Sequence, residues 1–298
     1  MAETKDKKPP LIIEVAGGLG NQMFQYAFFL KIKSLGYPCR LYYDKTQKKH
    51  KGYELDKVFG INEQFAAESE LNKVLGKDTS FVSRLKRKWT GYHPSFYWEH
   101  DKGYAYKPEI FNQAKPIYLQ GCWLSEKYFE DIDAEVRKVF VFHPCSNQSS
   151  ALADKIKDDT SSVSIHLRRG DYLQSDIHLK LDYPKYLAGA IRKIKTRVEN
   201  PSLYIFSDDM DHTKKLFSDN TINGFPLHFV DWNSGEDSWQ DMYLMSLCRH
   251  NIICNSTFSW WAAWLNKNPD KMVVCPEKWF TTDFLNDNDI VPEGWIQI

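Results

Sequence analysis

Apolar residues in this chain fall into short runs, and most runs are followed by a stretch in which they recur at helical spacing. The first run, Leu11–Ala16, ends in Gly17-Gly18-Leu19-Gly20 and reads as a buried strand feeding a tight turn. Asn21–Leu35 then carries Met23, Phe24, Ala27, Phe28, Leu30, Ile32 and Leu35 on a helical repeat, with Gly36 placed to end the helix and Pro38 beyond it. Cys39–Tyr43 reads as a second strand. A β-α-β opening implies parallel strands. From Asp44 to about Ser150 the pattern weakens, leaving helical stretches at Glu68–Leu75 and Glu126–Phe140 and a strand at Ile117–Leu119. It then sharpens. Strands at Ser162–Leu167, Leu203–Phe206, Leu227–Val230, Asn251–Cys254 and Met272–Cys275 alternate with helices at Pro184–Val198, after Asp211, at Ser238–Cys248 and at Thr257–Leu265. Five strands with intervening helices predict a doubly wound α/β sheet, on which ligands bind at the carboxyl ends of strands. The polar stretch Asn147–Lys155 marks a domain boundary, giving domains 1–152 and 153–298.

Composition narrows the function classes. Of 298 residues, 42% are apolar, so the chain supports packed cores. Lys plus Arg and Asp plus Glu are equal at 39 each, and a net charge of zero gives no field that selects nucleic acid. Basic runs at Lys45–Lys51 and Arg84–Lys88 read as solvated faces or as contacts with an anionic membrane surface. No stretch has the roughly 18 apolar residues of a membrane helix. The polar first ten residues have no signal-peptide core, so the expected location is the cytoplasm. The six cysteines form no C-x-x-C pair, which speaks against both a zinc site and a disulfide framework.

Four segments carry candidate chemistry. Gly17-Gly18-Leu19-Gly20-Asn21-Gln22 joins strand to helix, where glycines admit close approach and a helix N-terminus favours an anion. It reads either as a tight turn capped by Asn21 or as a cleft turn with Asn21 donating to a sugar or phosphate oxygen. It is not the dinucleotide fingerprint, because Met23 stands where that motif needs its third glycine. His166-Leu167-Arg168-Arg169-Gly170-Asp171-Tyr172 follows a strand. Guanidinium forks there grip phosphate, with Asp171 placed to orient one arginine across the turn at Gly170. Asn255-Ser256-Thr257-Phe258-Ser259-Trp260-Trp261 passes from strand to helix. Ser256 and Thr257 read as helix caps and, equally, as donors to a pyrophosphate. Trp260, Trp261 and Trp264 read as core. Asp241 opens a helix and is either a partner of the helix dipole or the acceptor for the paired N–H groups of guanine. Asp209-Met210-Asp211 matches the D-x-D pattern of metal-dependent sugar transferases, while Ser207-Asp208-Asp209 follows a strand and reads as a turn and helix cap.

Taken together, Gly17–Ala27, His166–Tyr172 and Asn255–Trp261, with Gln120–Phe129, resemble the α-1,2-fucosyltransferases of glycosyltransferase family 11. The motifs stand in family order across nearly the whole chain. The resemblance implies a GT-B-type fold with two Rossmann-like domains facing a cleft, and transfer of L-fucose from GDP-β-L-fucose to O2 of a terminal β-galactoside with inversion. It implies no metal and no cofactor beyond the GDP-L-fucose co-substrate. A bacterial member would build surface polysaccharide, meeting the membrane peripherally through a lipid-linked acceptor. Carried over residue by residue, the donor site comprises Gly18, Gly20, Asn21, Gln22, His166, Arg168, Arg169, Asp241, Ser256, Thr257 and Phe258. Arg168 would hold the β-phosphate, His166 and Asp241 the guanine, and Ser256–Phe258 the phosphate and base pocket. Arg168, Asp171 and Glu126 are the expected catalytic set. Glu126 is the preferred base for the acceptor hydroxyl over Glu99, His100 and Asp44, and Cys122 stands where the family more often has an aromatic residue. Other regiochemistry, or metal-dependent transfer through Asp209 and Asp211, is the alternative.

Breaking a sugar–phosphate bond loads charge onto the leaving diphosphate, and each aligned donor is typically worth about 10²–10³ in rate. Arg168→Ala is therefore expected to abolish most turnover, while Arg169→Ala acts through folding. Steady-state rates beside thermal melts check this, and equal mild losses in both variants would refute it.

Overall fold

The computed structural model describes residues 8–46, 51–75, 95–218 and 224–298. The basic run Arg84–Lys88 and most of Lys45–Lys51 lie outside the described residues. Two compact units divide the chain at Phe140 and Val141.

The first unit is built on a four-stranded sheet. Its strands are β1 (Leu11–Glu14), β2 (Cys39–Tyr42), β3 (Phe96–Trp98) and β4 (Ile117–Gln120), in the order β2-β1-β4-β3. All pairs are parallel. β1 is central and buried along its length, which accounts for its nearly unbroken apolar sequence. The helix Leu19–Ser34 follows it and is buried on most of its circumference, Met23, Phe24, Ala27 and Phe28 included. It closes as expected, with Leu35 at the cap and Gly36 left-handed at φ 79°.

The second unit carries six parallel strands: β5 (Ser162–Leu167), β6 (Ser202–Ser207), β7 (Leu227–Val230), β8 (His250–Ile252), β9 (Val273–Cys275) and β10 (Ile296–Gln297). Their order is β10-β9-β8-β5-β6-β7. The chain winds outward from β5 through β6 to β7, then restarts on the other side of β5 with β8. The switch point of the sheet therefore falls between β5 and β8. Val163, Ile165, Leu203, Ile205, Ile252 and Val274 form the core with Leu187, Ala190 and Ile194 of the helix Tyr183–Ile194.

Several elements depart from expectation. The expected boundary stretch is the helix Asn147–Asp158, capped by Ser146 and placed in the second unit, so the units part at 140/141 instead of 152/153. Its buried face is Ser149, Ala153 and Ile156, at helical spacing but made of small or single apolar residues. The expected helix Glu126–Phe140 is broken into 3₁₀ turns at Glu126–Tyr128 and Glu130–Ile132 before the α-helix Asp133–Val139. β3 and β10, both very short, appear in addition to the expected strands. Trp260, Trp261 and Trp264 are buried, as their core reading required.

Two amides in the first helix lock the loops that leave the first sheet. Gln25 accepts from Ala16 N at 2.9 Å and donates to Gly121 O at 2.9 Å, joining the turns after β1 and β4. Gln22 donates to Gly17 O and Gly52 O and accepts from Glu54 N at 2.9 Å. Leaving a buried backbone group unsatisfied costs about 1–3 kcal/mol. Gln25→Ala is expected to destabilise the protein by roughly 2–4 kcal/mol, read as a lowered midpoint of denaturant unfolding. A midpoint matching that of the unaltered protein would show that water replaces both bonds.

Candidate functional site

The switch point of the second sheet assembles the basic motif. Immediately after β5, Arg168 is clamped through its backbone: its N–H donates to the Tyr183 hydroxyl at 2.8 Å, and that hydroxyl donates to the Arg168 carbonyl at 2.8 Å. Arg168 Nε lies 3.1 Å from Asp208 Oδ2. Asp208 also accepts from Arg169 N at 2.8 Å and from Gly170 N at 3.1 Å. One carboxylate at the end of β6 thus fixes both the guanidinium and the peptide beyond it. A Cβ at position 170 would stand 2.7 Å from Asp208 Oδ2, so a larger residue there would displace this carboxylate. Asp208 orients the Arg168 guanidinium; Asp171, expected in that role, opens the short turn Asp171–Gln174, and its side chain lies outside the described residues. Arg169 pairs with Asp209 at 3.1 Å. The guanidinium of Arg168 also stands 5.9 Å over the Tyr172 ring.

His166 is the last buried polar residue of β5. Burial, assisted by the Arg168 charge, pushes its pKa down to about 3, so the imidazole is neutral at neutral pH. Its Nδ1 is 3.2 Å from Cys254 Sγ, and its ring centroid is 5.7 Å from that of Phe258. Both partners leave β8, so His166 bridges the two strands of the switch point. Ser256 occupies the N-cap of the helix Thr257–Leu265 but makes no side-chain cap bond. Its hydroxyl therefore does not close the helix end, contrary to the capping expected of it, and a helix N-terminus suits an anion. Asn255, buried, donates to Leu179 O and Trp279 O at 2.9 Å each and holds the loop in place.

Asp241 lies in the first turn of the helix Trp239–Leu247, where Asn233 donates to its Oδ1 at 2.8 Å. Asp209 caps the helix Met210–Ser218 by accepting from His212 N at 3.2 Å, besides pairing with Arg169. The D-x-D segment thus follows its turn-and-cap reading. Among the described residues, no group of three or more His, Cys, Asp and Glu is disposed to hold a metal ion.

Gly18, Gly20, Asn21 and Gln22 belong to the first unit. Gly17 is left-handed at φ 82°, and Gly18 is the N-cap of the first helix, so Asn21 is not the cap. Gly20 is buried within that helix. Gln22 is fully buried and bonded to three backbone groups, which makes it a support of the turn and not a ligand donor. Beside the turn is a cavity of about 190 Å³, whose walls include Glu14, Asn21, Trp98, His100, Tyr104 and Gln120. Glu14 is 7% exposed, and burial raises its pKa despite hydrogen bonds from Tyr118 and Gln120. Glu126 opens its own short turn and does not line this cavity. Glu99 is buried; its Oε2 accepts from Cys122 N and Trp123 N at 2.7 and 2.8 Å, and burial raises its pKa to about 7. It holds Trp123 in a left-handed conformation at φ 56°, with the indole stacked 4.1 Å from Phe28. Asp44 is tied to Thr46, which lowers its pKa.

Sequence reasoning passed over Asp208, Tyr183 and Glu14. Asp208 was visible only as part of a turn, and Glu14 only as the odd polar residue in an apolar run.

Two all-parallel units, with an arginine pair at the switch point of one, define a GT-B-type glycosyltransferase. The model of glycosyl transferase family 11 matches residues 96–298, and the chain belongs to that family. The chain is 31% identical to the alpha-1,2-colitosyltransferase of Escherichia coli, over 97% of this chain and 98% of that one. It is 30% identical to the O-antigen biosynthesis glycosyltransferase WbnK of Escherichia coli, over 95% and 99%. Galactoside 2-alpha-L-fucosyltransferase Sec1 of Mus musculus is 24% identical, over 96% and 73%. Among solved structures, a mutant of Arabidopsis thaliana FUT1 in complex with GDP superposes with TM-score 0.51 at 14% identity, covering 92% of this chain and 71% of that one. Fucosyltransferase NodZ from Bradyrhizobium gives 0.50 at 14%, covering 86% and 92%.

Asp208→Asn replaces an oxygen that faces N–H groups with an amide that can donate, and removes the counter-charge of Arg168. Misplacing a catalytic group is worth about 10²-fold. The expected result is a fall of that order in kcat/KM for the sugar donor with the melting temperature nearly kept. An unchanged kcat/KM would show that Arg168 finds its position without Asp208.

Proposed function

We propose that this chain is an inverting α-1,2-transferase that moves L-fucose from GDP-β-L-fucose to O2 of a terminal β-galactoside during assembly of a surface polysaccharide. The observation that carries the reading is the Arg168–Asp208–Arg169 cluster at the carboxyl ends of β5 and β6, with the helix Thr257–Leu265, whose N-cap hydroxyl makes no cap bond, entering from β8 on the other side of β5. Arg168 and the amide end of the helix Thr257–Leu265 would take the charge that develops on the departing diphosphate. Preorganisation by Tyr183 and Asp208 means that Arg168 needs no reordering at that moment. Neutral His166, next to Phe258, would meet the uncharged base. The FUT1 structure, solved in complex with GDP, and the curated relatives named for O-antigen biosynthesis or for galactosides support the reading.

The colitosyltransferase relative favours a second donor. Colitose is L-fucose without the 3-hydroxyl, so a donor site for either sugar needs the same diphosphate and guanine contacts. Charge neutralisation by Arg168 implies that no metal takes part, and the role of Asp209 as cap and ion-pair partner agrees with this.

The test is release of GDP from GDP-fucose, and separately from GDP-colitose, with lactose as acceptor, with and without EDTA. The expected outcome is a product fucosylated at galactose O2, made equally fast with chelator. Faster transfer from GDP-colitose would replace the donor and keep the mechanism. Loss of activity under EDTA would move the chemistry to Asp209 and Asp211.

A further inference from the structure

The cavity beside the Gly17–Asn21 turn is not accounted for by donor chemistry. Among the described residues no lysine or arginine lines it, and its one acidic side chain is Glu14. A diphosphate has nothing to neutralise it there and an acid to repel it. The volume of about 190 Å³ is below the roughly 300–1,000 Å³ of pockets that take larger organic ligands. A single uncharged ring is the occupant that these dimensions and this charge admit.

Two features give the cavity the chemistry of a sugar site. Trp98 is one of the few large apolar side chains left exposed, at 40%. It is held parallel to His100 at a centroid distance of 5.0 Å, so its ring is fixed in orientation. A rigid, half-exposed indole offers an apolar face to the C–H side of a pyranose. Glu14 lies at the carboxyl end of β1 with Tyr118 and Gln120 as hydrogen-bonding partners and the Asp44 charge nearby. Burying a carboxyl without a cation is costly. A carboxylate with acceptor capacity to spare takes hydroxyl donors, which a neutral sugar supplies on its polar rim.

We infer that this cavity is the subsite for one neutral pyranose of the acceptor, with Trp98 as its stacking face and Glu14 as the carboxylate that receives its hydroxyls. The word acceptor rests on the function proposed above; the neutral-sugar chemistry of the cavity does not.

The experiment uses the full chain and two variants, Trp98→Ala and Glu14→Gln. Lactose and N-acetyllactosamine are titrated by saturation-transfer NMR, GDP by calorimetry, and KM is measured for each substrate. Removing a stacked ring or a charged hydrogen-bond partner is expected to raise the saccharide KM about ten-fold or more. The Kd for GDP should stay within two-fold, on the order of experimental error. Because Trp98 is exposed, its variant is readable even if Glu14→Gln lowers the melting temperature. An unchanged saccharide KM in Trp98→Ala, or an equal rise in the KM of the sugar donor, overturns the subsite. If lactose binding is lost in Trp98→Ala while the unaltered protein transfers nothing to lactose, the subsite stands and the proposed function falls. If transfer is intact in both variants, the function stands and the subsite falls.

Discussion

Parallel pairing is the constraint on which the rest of this protein depends. Every strand pair in both sheets runs in the same direction, so within each unit the loops that leave the strands emerge from one edge. Those loops hold most of the chemistry: Ala16–Gly18 after β1, Gly121–Trp123 after β4, Arg168–Gly170 after β5, Asp208 after β6 and Asn255–Thr257 after β8. Irregular backbone gathered at one edge must find partners for its N–H and C=O groups. Here a single side chain often joins two chain segments at once. Gln25 joins Ala16 to Gly121, Glu99 gathers Cys122 and Trp123, Asp208 gathers Arg169 and Gly170, and Asn255 joins Leu179 to Trp279. The positioning of the site and the satisfaction of the backbone are the same set of bonds.

The two units dress this edge differently. The second gathers guanidinium groups, each paired with a carboxylate, and a neutral imidazole. The first gathers a buried carboxyl, amides and an aromatic face. Glu99 and Glu14 show that burial alone does not define a role. Both are pushed toward protonation by desolvation, but Glu99 is engaged by two backbone N–H groups inside the fold, whereas Glu14 faces a cavity.

Much of this was legible in the sequence, for physical reasons. β5 and the helix Thr257–Leu265 were readable residue by residue, because β5 sets Val163, Ile165 and Leu167 at the strand period of two and a helix buried nearly all round leaves a dense apolar run. The helix Asn147–Asp158 was not, because Ser149 and Ala153 do the work of its buried face and carry little hydrophobic signal. β3 and β10 are too short for any period to register. The arginine motif announced itself, but Asp208 did not, because it reaches Arg169 from the end of the neighbouring strand and not from nearby sequence. Gln22 misled for the converse reason. An amide bonded to three backbone groups and an amide offered to a ligand are the same letter, and only its burial separates them.

The register of the central strands bears on how the chain comes into being. Leu11 of β1 pairs with Cys39 on one side and with Ile117 on the other, and Val163 of β5 waits for His250. During synthesis β1 can hold β2 early, yet one whole edge of it stays open until β4 has left the ribosome. Long-range parallel pairing is slow, and an apolar edge exposed meanwhile invites association with other chains. Slower translation or lower temperature during expression acts on that interval, by letting each sheet close before crowded neighbours reach it.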